Sequence, residues 1–189
     1  MQRATRTGRP RRNAARAAAT NAIALLKADH RKVERLFKRY EKSKSKSVKA
    51  KLAQQICLEL SVHTTIEEEL FYPTVRGAVD DEIHDEAYVE HDGAKVLIAE
   101  LLTGTPEDDF YDAKVAVLSE MIKHHVKEEE QPGGLFAQAK SDHVDFDRLT
   151  RNMKALKSNL VENIKSAGIP MPATRSMKGA ELERRKPVA

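Results

Sequence analysis

Residues 59–73 read ELSVHTTIEEELFYP, and residues 121–136 read MIKHHVKEEEQPGGLF. Each stretch holds a histidine with a glutamate four positions later, and a single histidine precedes each pair by 33 or 34 residues. The chain therefore contains one trio twice: His30, His63 and Glu67, then His91, His125 and Glu129. The two copies lie 61 or 62 residues apart, as expected if one helical hairpin occurs twice. Two hairpins predict an antiparallel, up-down four-helix bundle.

Helical periodicity supports this prediction. Between residues 21 and 166, apolar residues recur every three or four positions, and no segment alternates with period two. We expect helices at about 21–42, between the polar connector 43–47 and Pro73, at about 80–102, and from about Val115 to Pro132. A fifth helix, at about 141–166, is expected to pack outside the bundle. The fold class is all-α.

Charge divides the chain into three parts. The net charge is +4, but residues 1–20 hold six arginines and no acid, and residues 167–189 hold five basic and two acidic residues. Residues 21–166 therefore carry −5. We expect one helical domain at 21–166, between a disordered basic arm at 1–20 and a disordered tail at 167–189.

Other sequence features limit the setting of the protein. No run of about 18 apolar residues occurs, so no membrane span is expected. Cys57 is the single cysteine and cannot form an internal disulfide, which fits a reducing cytoplasm. The sequence leaves the oligomeric state open.

Ionisable groups on inward helix faces predict a metal site. A buried carboxylate without a partner costs several kcal/mol, so Glu67 and Glu129 need compensation. A histidine and a glutamate four residues apart on a helix point the same way and can reach one metal or two adjacent metals. Two shared carboxylates with open positions suit iron or manganese better than zinc, which prefers a closed tetrahedral site.

Four stretches together resemble the hemerythrin-like proteins with an HHE cation-binding domain. They are LLKADHRKVERLF at 25–37, ELSVHTTIEEELFYP at 59–73, EHDGAKVLIAEL at 90–101 and MIKHHVKEEEQPGGLF at 121–136. The resemblance implies two non-haem iron ions joined by an oxo or hydroxo bridge. It also implies bridging carboxylates from Glu67 and Glu129, and terminal imidazoles from His30, His63, His91 and His125.

One departure from that family affects the expected function. The oxygen-carrying members have a fifth histidine one helical turn from the third-helix ligand, where this chain has Ala87 and Lys95 around His91. Reversible oxygen carriage is therefore disfavoured. Tyr88 could supply a phenolate instead, whereas His84 lies too far along the helix.

Other ionisable residues near the motifs have simpler interpretations. His124 and Glu128 repeat the spacing of His125 and Glu129, but the apolar register places them on a flank of the helix. His143 is expected to be an ordinary residue at a helix end. Glu68 and Glu130 are expected to face water or a hydrogen-bond donor and not a metal.

Three functions remain open. The favoured one is a di-iron protein that binds or reacts with a small oxidant, namely oxygen, peroxide or nitric oxide. Peroxide or nitric oxide chemistry is preferred within it, including peroxide decomposition of the catalase or peroxidase kind. The second is an iron-sensing or iron-storing module whose state alters how the tails meet a partner. The third, nucleic-acid binding by the arginine-rich arm, is disfavoured because the acidic bundle would repel phosphate.

Overall fold

The computed structural model of the protein describes residues 9–140 and 144–179, with side chains described from Ala22 onwards. Within these ranges the chain is helical, without strands. The α-helices are α1 (Arg9–Lys42), α2 (Lys46–Ile66), α3 (Tyr72–Val75), α4 (Asp81–Thr103), α5 (Tyr111–Glu130), α6 (Leu135–Gln138) and α7 (Phe146–Ala167). A π-helix at Glu67–Phe71 joins α2 to α3, and a 3-10 turn at Arg76–Ala78 follows α3. His143 lies outside the described residues, so its predicted role stays a prediction.

The helices α1, α2, α4 and α5 form the predicted bundle. Helix α1 packs against α2 and α5, and α4 packs against α2 and α5, which closes a ring of four. Helix α2 begins where the Ser45 side chain accepts a hydrogen bond from the Val48 backbone N–H. Helix α4 ends at Gly104, where the extended backbone turns into the connection towards α5. The prediction of an all-α four-helix bundle is confirmed.

The core consists of two apolar clusters with a polar layer between them. One cluster surrounds Leu26, Ile66 and Phe136, and the other surrounds Phe37, Ile56 and Leu118. Most positions of the predicted inward stripes are buried, and the four inward histidines separate the two clusters along the bundle helices. The layer of histidines is therefore sealed by hydrocarbon at both ends.

Helix α7 packs outside the four bundle helices, as expected. It begins at Phe146, where the Asp145 side chain accepts a hydrogen bond from the Arg148 backbone N–H at 3.0 Å. Its apolar face, including the fully buried Met153, packs against α1 and α2. Helix α7 therefore covers the outer side of the hairpin that carries His30 and His63.

Two predicted helix boundaries need correction. Pro73 does not end the second helical run, because it occupies the first turn of α3, where the missing backbone N–H is tolerated. Helix α1 begins at Arg9, twelve residues before the expected start at 21, across an alanine-rich segment of high helix propensity. Residues 1–8 lie outside the described residues, so disorder there stays a prediction.

The C-terminal segment also differs from expectation. Residues 168–179 follow α7 without helix, but they contact the bundle specifically. Asp92 accepts backbone N–H hydrogen bonds from Arg175, Ser176 and Met177, at 2.8, 2.6 and 3.1 Å. This buried carboxylate supplies acceptors that composition alone does not reveal. Residues 175–177 therefore hydrogen-bond to the bundle, whereas disorder at 180–189 stays a prediction because those residues lie outside the described residues.

Candidate metal centre

Four histidines from four helices converge in the polar layer. His30 lies on α1, His63 on α2, His91 on α4 and His125 on α5, and each is at most 5% exposed. Their Nε2 atoms face one another in two pairs. The distance is 3.0 Å between His30 and His63 and 3.1 Å between His91 and His125. Each pair comes from two helices of one hairpin.

Two carboxylates lie between the histidine pairs. Glu67 Oε2 is 3.1 Å from His63 Nε2 and 3.4 Å from His91 Nε2. Glu129 Oε2 is 3.3 Å from His30 Nε2 and 3.6 Å from His125 Nε2. Each carboxylate therefore reaches one histidine of each pair. The structure brings together all six residues that the sequence singled out.

These residues fit a metal cation. Atoms of His30, His63, Glu67 and Glu129 lie within 4.8 Å of one another, and so do atoms of Glu67, His91 and His125. Within the described residues, both oxygens of Glu67 and Oε2 of Glu129 are buried without a hydrogen-bond donor. Buried carboxylate oxygens without donors are costly unless a cation lies beside them. The two groups share Glu67, so the site has room for adjacent cations.

Every inward histidine has a carboxylate beside its outer nitrogen. The Nδ1 distances to these carboxylates are 2.8 Å for His30 with Glu130, 3.7 Å for His63 with Asp29, 3.0 Å for His91 with Glu68 and 2.7 Å for His125 with Glu90. For His30, His91 and His125 the distance is that of a hydrogen bond, and such a carboxylate holds a proton at Nδ1 and leaves the Nε2 lone pair free for a metal. His63 Nδ1 lies near Asp29 without a hydrogen bond among the described residues. The sequence predicted this role for Glu68 and Glu130 in general terms, and missed Asp29 and Glu90.

Buried carboxylates raise the pKa values of two inward histidines. Burial alone would lower the pKa of His63, but Glu67 and Asp29 outweigh it and raise the pKa to about 10. Burial likewise opposes protonation of His125, yet Glu129 and Glu90 raise its pKa to about 9. The centre without metal therefore holds protons, and a bound cation would take their place.

A widened helical turn brings a tyrosine to the centre. In the π-helix Glu67–Phe71, the Tyr72 backbone N–H donates to the Glu67 carbonyl, five residues back. Such single-turn π segments are frequent at functional sites. The turn places Tyr72 Oη 3.0 Å from Glu129 Oε1, to which it donates, and 3.3 Å from His91 Nε2. Sequence reasoning missed Tyr72.

The candidates for the fifth-histidine position lie elsewhere. The Tyr88 ring packs against Tyr72 and His84, with ring centres 5.4 and 5.1 Å away. His84 is buried beside these rings, as a residue outside the metal cluster. Ala87 is a buried methyl group, and the Lys95 ammonium pairs with Glu68 and Asp92. None of these four side chains is within hydrogen-bond distance of His91 Nε2 among the described contacts, whereas the Tyr72 hydroxyl lies 3.3 Å from it.

Glu68 connects the centre to the C-terminal segment. It accepts from His91 Nδ1 at 3.0 Å, from Lys95 Nζ and from Arg175 Nε, the last two at 2.9 and 2.8 Å. Burial alone would raise the pKa of Glu68, but His91 and Lys95 outweigh it, so the pKa is lowered and the carboxylate stays ionised. Hydrogen bonds therefore connect Arg175 to Glu68 and Glu68 to His91 without a break.

A sharp turn after α5 fixes the ring of His30. A Cβ atom at Gly134 would lie 2.0 Å from the Glu128 carbonyl oxygen, so only glycine fits this close approach. The chain then enters α6, where the Phe136 ring stacks on His30 with centres 5.8 Å apart. Glu130, at the end of α5, holds His30 from the other side.

The structure also settles the register on α5. His125 and Glu129 are buried at the centre, while His124 is mostly exposed. His124 Nε2 lies 3.3 Å from Glu128 Oε1 and 3.5 Å from Glu90 Oε1. The flank position predicted for His124 and Glu128 is confirmed.

Of the helices described, none is long and apolar enough to cross a membrane.

Comparisons with known proteins agree with this geometry. The sequence model of the family described as Hemerythrin HHE cation binding domain matches residues 21–132. A hemerythrin HHE cation binding domain-containing protein from Mycobacterium kansasii has a similar fold, with a TM-score of 0.61 at 18% identity, covering 77% of this chain and 93% of that one. A DNA nickase from Nostoc sp. strain PCC 7120 is 26% identical over 142 residues. That match includes 74% of this chain but only 40% of the nickase.

The family model matches more than half of the chain, and the buried histidine and glutamate cluster agrees with it. The protein belongs to the hemerythrin HHE cation-binding domain family. It is a helical cation-binding module, and its clustered side chains fit a metal site.

Proposed function

We propose that this protein is a non-haem di-iron protein that binds or reacts with a small oxidant, with peroxide or nitric oxide favoured over oxygen carriage. The observation that supports it most concerns the two carboxylates. Glu67 Oε2 and Glu129 Oε2 each lie within 3.6 Å of the Nε2 atom of one histidine from each pair. One ion would be held by His30 and His63, and the other by His91 and His125, with both glutamates shared.

The donor set favours iron over zinc. Four imidazole nitrogens and four carboxylate oxygens supply about eight of the roughly twelve positions of two six-coordinate ions. Zinc in structural sites takes four ligands and closes. The surplus positions would admit a bridging oxygen and an external ligand. Bound iron would supply the electrons and the Lewis acid for reduction of that ligand.

Tyr72 supplies a proton donor beside these positions. Its hydroxyl donates to Glu129 and lies 3.3 Å from His91 Nε2. Burial, with Glu129 and Glu67 nearby, raises the pKa of Tyr72 well above its ordinary value, so the phenol keeps its proton. Cleavage of a peroxide bond consumes protons, and a positioned acid accelerates such a step. A phenol in place of a fifth imidazole therefore favours peroxide chemistry over reversible binding.

Peroxide consumption tests the catalytic form of this proposal. We expect protein loaded with two irons per chain to consume hydrogen peroxide over many turnovers, and the same protein stripped by a chelator to lose that activity. Nitric oxide added to the reduced form should change its optical spectrum. If peroxide is neither bound nor consumed by the loaded protein, the catalytic form is wrong.

The alternative is an iron-sensing or iron-storing module without catalysis. It is favoured by the contact of Arg175 with Glu68, because Glu68 also holds His91. Iron at His91 would then alter the attachment of residues 170–177. Hydrogen exchange of this segment, compared between metal-free and iron-loaded protein, tests the link. Unchanged exchange on loading would argue against the sensing form.

Charge argues against DNA as the partner of the bundle. Residues 21–166 carry −5, which repels phosphate. Nicking of DNA is an activity named for a relative, and the match to this chain covers only 40% of that relative.

We further propose a cytoplasmic location. The single cysteine, Cys57, is buried and needs no oxidising compartment.

A further inference from the structure

We propose that Glu90, His124 and Glu128 form an outer divalent-cation site that passes iron to the buried centre. The binding of a cation at this outer site stands on the geometry of the three residues alone. The delivery of iron rests on the proposed di-iron function.

The three side chains are already spaced for one ion. His124 Nε2 lies 3.5 Å from Glu90 Oε1 and 3.3 Å from Glu128 Oε1. Ligands at about 2.1 Å from a common ion, at tetrahedral or octahedral angles, are roughly 3.0–3.5 Å apart. One ligand atom from each residue lies within 4.8 Å of the others. A cation can therefore be bound without rearrangement of the helices.

The two outer carboxylates lack the usual cationic partners. Among the described residues, Glu90 pairs only with His124 and His125, and Glu128 pairs only with His124. No lysine or arginine in the described chain lies within ion-pair distance of either carboxylate. The side chain of His124 is 60% exposed, so a cation from solvent can reach the trio directly.

The outer trio adjoins the inner centre through Glu90. While Glu90 Oε1 faces His124, Glu90 Oε2 accepts from His125 Nδ1 at 2.7 Å. Glu128 and Glu129 are consecutive residues of α5, one facing outwards and one inwards. One carboxylate thus touches both a proposed inner ligand and an exposed histidine.

A small cavity lies between the outer and inner side chains. Its volume is about 10 Å³, close to that of one water-sized sphere. It is lined by Ile83, Ala87, Glu90, His125, Glu128, Glu129 and Leu135. Glu129, at its inner wall, has a buried Oε2 without a hydrogen-bond donor among the described residues. Glu128 and Glu129 therefore both line this gap between the outer and the inner side chains.

The ligand set suits transient binding of a transition-metal ion. One imidazole and two carboxylates accept Fe²⁺, Mn²⁺, Co²⁺ or Zn²⁺, and three protein ligands leave positions for water. Water-filled positions keep the ion exchangeable. The inner centre has more ligands, and its side chains are at most 5% exposed, so it holds an ion more tightly. This difference in ligand number gives the transfer its direction.

Cobalt binding tests the outer site. We expect metal-free full-length protein titrated with Co²⁺ to bind three ions per chain, two tightly and one at least tenfold more weakly. The double variant His124→Ala/Glu128→Gln should keep the two tight ions and lose the weak one. Glu120→Gln, the same substitution at an exposed position of α5, should keep all three. Only two ions in the wild-type protein, or a third ion retained by the double variant, would overturn the site.

Iron uptake tests delivery. At low micromolar Fe²⁺, we expect the double variant to load at least tenfold more slowly than wild type, with equal final iron content and spectrum. Glu120→Gln should load at the wild-type rate. Loss of the weak cobalt ion with an unchanged loading rate would overturn delivery. Failure of the di-iron proposal is distinguishable, because it would remove the two tight ions from wild type and variants alike.

Discussion

The Nε2 atoms of His30 and His63 lie 3.0 Å apart, although Glu130 and Asp29 face the Nδ1 atoms of the same two rings. A proton held at Nδ1 leaves a lone pair at Nε2, and two lone pairs that face each other repel. His91 and His125 repeat the arrangement at 3.1 Å. A proton or a metal ion between the two nitrogens removes this repulsion. The arrangement of the four histidines therefore favours the binding of a cation between the rings of each pair.

Tyr72→Phe should separate proton donation from metal binding. The substitution keeps the ring but removes the hydroxyl that donates to Glu129 at 3.0 Å. We expect unchanged iron content and a peroxide consumption rate lowered by roughly tenfold to a hundredfold, because a positioned acid is lost. Tyr88→Phe is the matched control, since that ring packs beside Tyr72 and, among the described residues, Tyr88 makes no hydrogen bond to an inward histidine. Equal rates for both variants would contradict the role of Tyr72.

Glu68→Gln should weaken iron binding. Glu68 holds His91 Nδ1 and pairs with Lys95, so loss of its charge weakens the anchor of that imidazole. Loss of such a partner typically costs about 10- to 100-fold in metal affinity, measured here by competition with a chelator. Glu86→Gln changes an exposed carboxylate of α4 and should leave the affinity within about twofold of wild type. Equal affinities for the two variants would rule out this anchoring role.

Arg175→Ala should loosen the C-terminal segment and speed iron release. Arg175 Nε donates to Glu68 at 2.8 Å, and its guanidinium also pairs with Glu69. Because Arg175 acts on His91 only through Glu68, we expect release to a chelator to rise by less than the effect of Glu68→Gln, up to about tenfold. Arg151→Ala, at an exposed position of α7, is the control. Release that is no faster than in the control would show that the segment does not support the centre.

The metal-free protein should lose stability as pH rises. The folded-state pKa values of His63 and His125, about 10 and about 9, exceed the value of about 6.5 for an unfolded histidine. A raised pKa contributes stability that is complete below about pH 6.5 and is lost as pH passes the folded-state values. The free energy of unfolding in urea should therefore fall between about pH 6.5 and 10. Iron-loaded protein, in which metal replaces these protons, should not share the fall, and a metal-free protein whose stability rises over this range would contradict the assignment.

The sequence predicted the bundle and the inward face of each helix because hydrophobic periodicity and the repeated trio agree. His30 follows the stripe of Ala22 and Leu26, and all three are buried as expected. Tyr72 could not be found in this way. In a regular α-helix, position i+5 from Glu67 lies about 140° around the axis, and only the π-helix brings it back towards the centre.

The carboxylates that face the Nδ1 atoms also follow a repeated pattern in the sequence. Asp29 and Glu90 immediately precede the lone histidines His30 and His91, and Glu68 and Glu130 immediately follow the two shared glutamates. The repeated unit is therefore larger than the trio. Its extra members serve histidines on other helices, which spacing within one helix cannot indicate. The attachment of residues 175–177 likewise depends on Asp92, an acceptor buried by tertiary packing.

Iron stoichiometry tests the central claim most directly. Full-length protein reconstituted with excess Fe²⁺, oxidised in air and freed of loose metal should contain two irons per chain and show an absorption band of an oxo-bridged pair. The double variant Glu67→Gln/Glu129→Gln, which keeps all four imidazoles but removes both shared carboxylates, should lose the band and retain fewer than two irons. One iron or less in the wild-type protein, or a preference for zinc under the same conditions, would contradict the di-iron centre.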